Sequence, residues 1–243
     1  MSRAAAALAA TAAIVIGASG CETTQELSAK IGRRLGHQSA DAGTTSLGAA
    51  NRTVHVERSA LVGSSGQYAV ALELTNAGPQ AQSDFAVLID VLDASGKSVY
   101  RNNTKGIEAS IQGLSLLPAH ATAWWVDNEV LASAGPPTSV TAAVGASTGS
   151  VTATIPVLTT RGVSASNSFP GPHVSATVEN RSSVAQSELA VYAVALRGGK
   201  VVGAGRGIVA ALAARASTQV EIPMVGSVDG TTISLTVAPA RLG

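Results

Sequence analysis

The sequence predicts an all-β protein with two tandem β-sandwich domains behind an N-terminal export segment. Two local observations support this class: apolar and polar residues alternate in short runs from residue 51 onward, and glycine-containing turns separate these runs. A third observation is that the second half of the chain repeats the first, which indicates a duplicated domain. No long helical pattern follows residue 50.

Length and composition are compatible with two small globular domains. The chain has 243 residues, of which 46% are hydrophobic, enough for each half to bury a core. Aromatic residues make up only 3%, so the cores must consist mainly of Val, Ala, Leu and Ile. The formal net charge of +1 does not favour nucleic-acid binding by bulk charge.

The N-terminus has the three parts of a secretory signal. A basic residue, Arg3, precedes an apolar run over residues 4–17 that is too short to cross a bilayer, and small residues follow. The ending Ala18-Ser19-Gly20-Cys21 resembles the lipobox of bacterial lipoproteins, although the family usually has Leu where Ala18 stands. The resemblance implies removal of residues 1–20, acylation of Cys21 and anchoring to a bacterial membrane outside the cytoplasm.

An alternative is ordinary signal cleavage after residue 20, which would leave a soluble secreted protein with a free thiol. Acylation of the sulfur would remove that thiol, which is prone to intermolecular pairing in an oxidising compartment. The choice therefore rests on the fate of Cys21, the only cysteine in the chain.

Residues 21–50 are expected to join the anchor to the first domain. Leu27, Ile31 and Leu35 recur every four residues, which predicts a short amphipathic helix over 22–36 that could lie on an anionic membrane or form a frayed spacer. Residues 37–50 are rich in Ser, Ala, Gly and Thr, which is typical of a flexible tether.

The internal repeat sets the predicted domain boundaries. Residues 76–87 (NAGPQAQSDFAV) align without gaps with residues 180–191 (NRSSVAQSELAV). The alignment continues to the last predicted strand of each copy, which places one domain at 51–150 and the second at 151–243. Turn-separated short strands at this spacing are typical of β-sandwiches.

The strand and hairpin FAVLIDVLDASGK, which begins at Phe85, resembles the immunoglobulin-like FxLYD-type domains of bacterial envelope proteins. The first copy lacks the tyrosine of that motif, and the second copy has Leu189 in place of Phe. The resemblance implies two immunoglobulin-like sandwiches that serve adhesion, scaffolding or ligand presentation, with no catalytic residues to transfer.

Two features are candidate contact sites. The alignment pairs Trp125 with Val220 and Trp124 with Gln219, which predicts that Trp125 is buried and that Trp124 is exposed or packed against a loop or the second domain. The first copy also has eight extra residues within 100–116, and insertions on β scaffolds often carry recognition. Besides Trp124, the candidate contact residues are Tyr100, Arg101, Asn102, Asn103 and Lys105.

Catalytic, metal and cofactor motifs are not evident in the sequence. The four histidines are scattered without metal-ligand spacing, and no cofactor is predicted. Asp84 and Glu188 are equivalent in the two copies, but assignment to separate domains predicts solvated strand ends rather than one cleft. Asn76 and Asn180 are expected to bond the backbone of equivalent turns.

The sequence therefore favours a non-enzymatic envelope lipoprotein that contacts another envelope protein or polymer. The alternative is a soluble secreted protein that binds a carbohydrate or peptide through Trp124 and the insertion within 100–116. An enzyme whose residues converge only in three dimensions is a third, less favoured hypothesis.

Overall fold

A computed structural model describes residues 45–132, 135–149, 151 and 154–240. The predicted signal peptide, Cys21, the short helix over 22–36 and most of the tether lie outside the described residues. The last part of the predicted tether is not free: the Asn51 N–H donates to Val144 O, and the Ala146 N–H donates to Ala49 O. The ordered body therefore begins before Asn51.

The first repeat, residues 51–150, contains seven antiparallel strands. They are β1 (Val54–Ser64), β2 (Gln67–Asn76), β3 (Gln82–Leu92), β4 (Ser98–Arg101), β5 (Gly113–Leu117), β6 (Thr122–Val130) and β7 (Ser139–Val144). One sheet has the order β1-β2-β6; in the other, β3 pairs with β4 and β5 as well as with β7. A 3₁₀ turn, Ala109–Ile111, precedes β5.

The second repeat, residues 151–243, forms one six-stranded sheet. Its strands are β8 (Leu158–Ser166), β9 (His173–Asn180), β10 (Gln186–Arg197), β11 (Lys200–Leu212), β12 (Ser217–Gly226) and β13 (Thr232–Val237), in the order β13-β10-β11-β12-β9-β8. Strands β11 and β12 pair only between Gly203 and Gly205 on one side and Met224 and Gly226 on the other. Buried residues of β9 and β12 pack with those of β10 and β11, so the sheet encloses its own core.

Glycine permits the close approach at this junction. A Cβ on Gly205 would lie 2.2 Å from the carbonyl oxygen of Pro223, and one on Gly203 would lie 2.5 Å from that of Ser227. Any larger residue would therefore push β11 and β12 apart.

The prediction of an all-β chain is confirmed. Several antiparallel sheets of the β-sandwich class account for the regular structure, and the described residues include no α-helix. The order β1-β2-β6 in the first repeat corresponds to β8-β9-β12 in the second, as the sequence alignment requires.

The equivalent asparagines are turn residues, as predicted. Asn76 Nδ2 donates to Gln80 O at 2.8 Å, and Asn180 Nδ2 donates to Val184 O at 2.8 Å. Each side-chain oxygen accepts a 3.0 Å hydrogen bond from the N–H two residues later. Both buried side chains therefore replace backbone partners in the same turn.

The two repeats share buried surface. The core cluster of the first repeat includes Tyr192, Val194 and Ala204 from the second. Strand β6 contacts β10, β11 and β13, so the sheet β1-β2-β6 is covered on the face opposite its own sandwich core. By packing, the described residues of both repeats belong to one compact unit.

Candidate functional site

The two adjacent tryptophans point to opposite sides of β6, and both are buried. Trp125 is fully buried in the first repeat, where its Nε1–H donates to Gly113 O at 3.1 Å. Trp124 is only 5% exposed, and its backbone N–H donates to Thr236 Oγ1 at 2.9 Å. The expectation of an exposed Trp124 is therefore wrong, and the alternative expectation, that Trp124 packs against the second repeat, agrees with the structure.

Arg58 closes the edge of this buried contact. Its guanidinium lies 5.0 Å from the ring centroid of Trp124 and forms an ion pair with Glu73 at 2.5 Å. Its Nη1 also donates to Gly199 O of the second repeat at 3.1 Å. The Trp124 ring is therefore occupied by a protein cation and does not present a ligand-binding face.

The extra residues of the first repeat lie in the insertion loop, residues 102–112. It separates β4 from β5, whereas the equivalent β11 of the second repeat is one continuous strand of 13 residues. Asn102 turns inward at the break: its Nδ2 donates to Val87 O at 2.8 Å and its Oδ1 accepts from the Ile89 N–H at 2.9 Å. The Asn102 side chain thus provides hydrogen-bond partners for backbone groups of β3 that face the gap between β4 and β5.

The predicted contact residues near this loop divide into buried and accessible groups. Tyr100 and Asn102 are buried, so the expectation that they contact a partner is wrong: both side chains satisfy internal hydrogen bonds. Arg101, Asn103 and Lys105 are accessible at least in part. Arg101 forms an ion pair with Asp90 at 2.6 Å, and with Asn103 it lines a shallow pocket of about 260 Å³.

A buried carboxylate lies behind the insertion loop. Tyr100 Oη donates to Asp127 Oδ2 at 2.7 Å, and the Glu129 N–H donates to Asp127 Oδ1 at 2.9 Å. Burial raises the pKa of Asp127 to about 6 despite these hydrogen bonds. Burial and the nearby Asp127 carboxylate also raise the pKa of the Tyr100 phenol.

Arg206 joins the insertion loop to the second repeat. Its side chain is only 4% exposed, and its Nη2 lies 3.3 Å from Glu108 Oε1 and also contacts Ser110 Oγ. Its Nη1 lies 3.9 Å from Glu129 Oε1. Arg206 Nε is buried without a hydrogen-bond partner among the described residues.

A groove of about 500 Å³ lies between the repeats. Both repeats and the segment before β1 contribute to it: its lining comprises Thr45, Ser46, Asp84, Phe85, Ala86, Ser110, Gln112, Gly113, Leu114, Ser115, Thr148, Glu188, Ala190, Tyr192, Ala238 and Ala240. This volume lies within the usual range for ligand-binding clefts. We refer to this surface as the groove.

The groove is lined by two carboxylates that the sequence assigned to separate domains. Asp84 and Glu188 are exposed at the starts of β3 and β10, as expected for solvated strand ends, and both border the same cleft. The reason is the packing of the repeats, which places equivalent strand starts beside one cleft. The repeat alignment did identify the pair, but it contained no signal for the arrangement of the two copies.

Both acidic residues have left-handed backbone conformations, with φ of 50° at Asp84 and 53° at Glu188. Thr148 Oγ1 donates to Asp84 O at 2.7 Å, and the neighbouring Ser83 N–H donates to Ser147 Oγ at 2.9 Å. In the second repeat, the Ala240 N–H donates to Gln186 Oε1 at 2.9 Å. In each repeat, therefore, the segment after the last strand is bonded to the region of the acidic residue.

The groove combines these acids with an apolar wall and one tyrosine. Phe85 and Leu114 are buried residues of the first repeat, and Tyr192 is a buried residue of the second. Burial raises the pKa of the Tyr192 phenol to about 12. Sequence reasoning did not single out this residue.

The described part of the chain contains no candidate metal site, because no three His, Cys, Asp or Glu side chains cluster there. Within the same residues, no helix is long and apolar enough to cross a membrane.

No protein-family model matches the chain, and no curated protein matches it. Functional inference therefore rests on the groove and on the N-terminal sequence.

Proposed function

We propose that the protein is a non-enzymatic envelope lipoprotein, anchored through Cys21, that binds a partner in the groove between its two repeats. The observation that carries this proposal is that equivalent positions of both repeats line one groove of about 500 Å³: Asp84 and Ala86 in the first, Glu188 and Ala190 in the second. A site made by both copies gives the duplication a function that neither copy would have alone.

The packing of the repeats supports a role in presentation. Trp124, Tyr192 and Ala204 lie in a core cluster that spans both copies, and Arg206 adds polar contacts across the same boundary. These buried contacts hold the two walls of the groove in a fixed relation. A preorganised groove binds without the entropic cost of ordering its walls.

The proposed domains are immunoglobulin-like, related to the FxLYD type. Support comes from the hairpin sequence after Phe85 and from the paired arrangement β1-β2-β6 and β8-β9-β12. Such domains serve recognition and scaffolding rather than chemistry.

Cell fractionation tests the anchor. The wild-type protein should be recovered with membranes, and Cys21→Ser should move to the soluble extracytoplasmic fraction. Mass spectrometry of the mature N-terminus should show acyl chains on Cys21. Membrane recovery of Cys21→Ser equal to that of the wild type would refute the anchor.

Site-specific photo-cross-linking in intact cells tests the groove. A photoreactive amino acid at Ala240, an exposed residue of the groove, should form a discrete cross-linked product. The same group at Ser95, an exposed turn residue that does not line the groove, is the matched control. Equal cross-linking at the two positions would exclude the groove as the partner-binding surface.

A further inference from the structure

We infer that three arginines of the second repeat, Arg161, Arg181 and Arg215, bind the phosphate groups of anionic lipids in the membrane that carries the Cys21 anchor. We refer to these three residues as the arginine corner. The inference rests on the proposed function, because the anchor supplies the membrane. Net charge, free guanidinium donors and the position of the corner relative to the N-terminal segment support it separately.

The arginine corner has an excess of positive charge. Glu179 accepts hydrogen bonds from both Arg161 and Arg181, so two arginines share one carboxylate. These hydrogen bonds lower the pKa of Glu179, which therefore stays ionised at neutral pH. With Arg215 included, three arginines and one glutamate give a net charge of 3 − 1 = +2. All three arginines are exposed to solvent, so an anion can reach them.

A pocket of about 350 Å³ lies within the arginine corner, at the turns that follow β9 and β11. Its lining comprises Glu179, Asn180, Arg181, Arg215, Ala216 and Ser217. Two arginines and one acid thus border a single concave surface. A phosphate group is small enough to enter this pocket, whose arginines complement its charge.

Arg215 has guanidinium donors without a protein partner. Its Nη1 donates to Arg181 O at 2.5 Å, which holds the guanidinium beside the backbone of Arg181. The Nε and Nη2 of Arg215 have no partner among the described residues, and its side chain forms no ion pair with them. The paired N–H groups of a planar guanidinium match the oxygens of a phosphate. The free donors of Arg215 therefore suit a phosphate ligand.

The first repeat forms the same turns without these arginines. His120 stands at the position of Arg215, and both have left-handed backbone conformations, with φ of 54° and 59°. Ala77 stands at the position of Arg181. The turns therefore do not require arginine at either position, which favours a separate role for the two side chains.

The arginine corner lies at the end of the second repeat that borders the groove, where the N-terminal segment enters. Thr45, the first described residue, lines the groove together with Ala240. The Ala240 N–H donates to Gln186 Oε1 at 2.9 Å, and the side-chain amides of Gln186 and Asn180 both donate to Val184 O. Asn180 in turn lines the arginine pocket. A short series of contacts thus connects the entry of the N-terminal segment to the corner.

The length of the N-terminal segment keeps the corner close to the membrane. Residues 21–44 span at most about 85 Å even when fully extended. Anchoring at Cys21 therefore gives the corner a high effective concentration of lipid. Basic residues near an anionic bilayer are attracted to it within about one Debye length, so the corner orients the body on the membrane surface.

Flotation with vesicles tests the corner in the Cys21→Ser chain, which cannot carry the acyl chains. The vesicles contain either phosphatidylcholine alone or equal parts of phosphatidylcholine and phosphatidylglycerol. At low ionic strength the protein should bind the anionic vesicles at least tenfold more tightly, because only these attract the arginines. Equal binding to the two kinds of vesicle would overturn the inference.

Two double variants of the Cys21→Ser chain locate the site. Arg181→Gln with Arg215→Gln should weaken binding to the anionic vesicles at least tenfold. Arg197→Gln with Lys200→Gln, an equal charge change at exposed residues at the opposite end of β10, should leave binding within twofold. Residues 1–44 are the same in both, so any contribution from that segment is matched. Equal losses in the two double variants would overturn the site.

Inorganic phosphate distinguishes a lipid headgroup from a free anion. Isothermal titration calorimetry of the Cys21→Ser chain with phosphate should show binding far weaker than to the vesicles, because a bilayer offers many phosphates to three arginines at once. Saturable binding of inorganic phosphate without binding to anionic vesicles would overturn the lipid assignment.

A salt wash separates this inference from the proposed function. In about 1 M salt the Debye length falls to about 3 Å, which releases the arginines but not an acylated chain. Recovery of Cys21→Ser with membranes after this wash would contradict the anchor, whatever the vesicles show. Release of Cys21→Ser together with equal binding to both kinds of vesicle would overturn the arginine corner and leave the anchor.

Discussion

The Tyr100 phenol donates a 2.7 Å hydrogen bond to the buried carboxylate of Asp127, beneath the insertion loop. Three other groups that act on this carboxylate are Glu129 on the same strand, its backbone N–H, and Arg206 on β11. The hydrogen bonds and Arg206 favour the ionised carboxylate, but burial outweighs them and raises the pKa of Asp127 to about 6. Stability should therefore depend on pH in a specific direction.

The contribution of Asp127 should make the native state more stable at pH 4 than at pH 7. In the unfolded chain this carboxyl ionises near pH 4, so between about pH 4 and 6 the native state binds more protons than the unfolded state. The free energy of unfolding should fall across this window by up to about 3 kcal/mol and then level off. Urea denaturation of the wild type and Asp127→Asn at several pH values measures the free energy of unfolding. If this free energy changes with pH in the same way in both proteins, Asp127 is not the source of the pH dependence.

Trp124→Ala should lower the free energy of unfolding of the protein. The side chain is 5% exposed between the two repeats, and truncation of a buried tryptophan costs about 3–5 kcal/mol. Chemical denaturation provides the measurement, with Leu131→Ala as control because Leu131 is 75% exposed. A loss below about 1 kcal/mol at Trp124 would mean that the contact between the repeats contributes little.

Asn102→Ala should cost about 2–4 kcal/mol, since it leaves Val87 O and the Ile89 N–H without their side-chain partner. Asn102→Asp should be at least as damaging, because a carboxylate cannot donate to the carbonyls of Val87 and Ile111. Asn103→Ala is the matched control at the partly exposed neighbour. Similar melting temperatures for the variants at 102 and 103 would refute the structural role of Asn102.

Arg206 and Glu108 should be energetically coupled. Their charged groups lie 3.3 Å apart across the repeat boundary, and the Arg206 side chain is almost fully buried. A double-mutant cycle with Arg206→Met and Glu108→Gln should give a coupling free energy of about 1 kcal/mol or more. Additive effects of the two substitutions would show that the ion pair does not stabilise the interface.

Sequence patterns predicted the strands and the duplication because these depend on local periodicity and on self-similarity. Alternation also correctly placed Trp124 and Trp125 on opposite faces of β6. It could not show that both faces are covered, since that depends on a second sheet from distant sequence. A signal did exist in residues 189–195 (LAVYAVA), an uninterrupted apolar run of the kind found in strands buried on both faces.

The candidate site was less predictable than the fold. The alignment located the insertion but could not reveal that Asn102 turns inward, because its sequence context resembles that of any polar loop. Asp84 and Glu188 were recognised as equivalent, and their meeting at one groove depends on the docking of two sheets. No local pattern encodes that geometry.

The contact between the repeats uses unlike surfaces. The outer face of β6 carries Trp124 and Val126, which are buried at this contact. At the aligned positions of β12 stand Gln219 and Glu221, which are exposed. A head-to-tail contact between unlike surfaces propagates only if each unit offers the same apolar face to the next. The polar face of β12 therefore does not offer the apolar surface through which β6 packs against the second repeat.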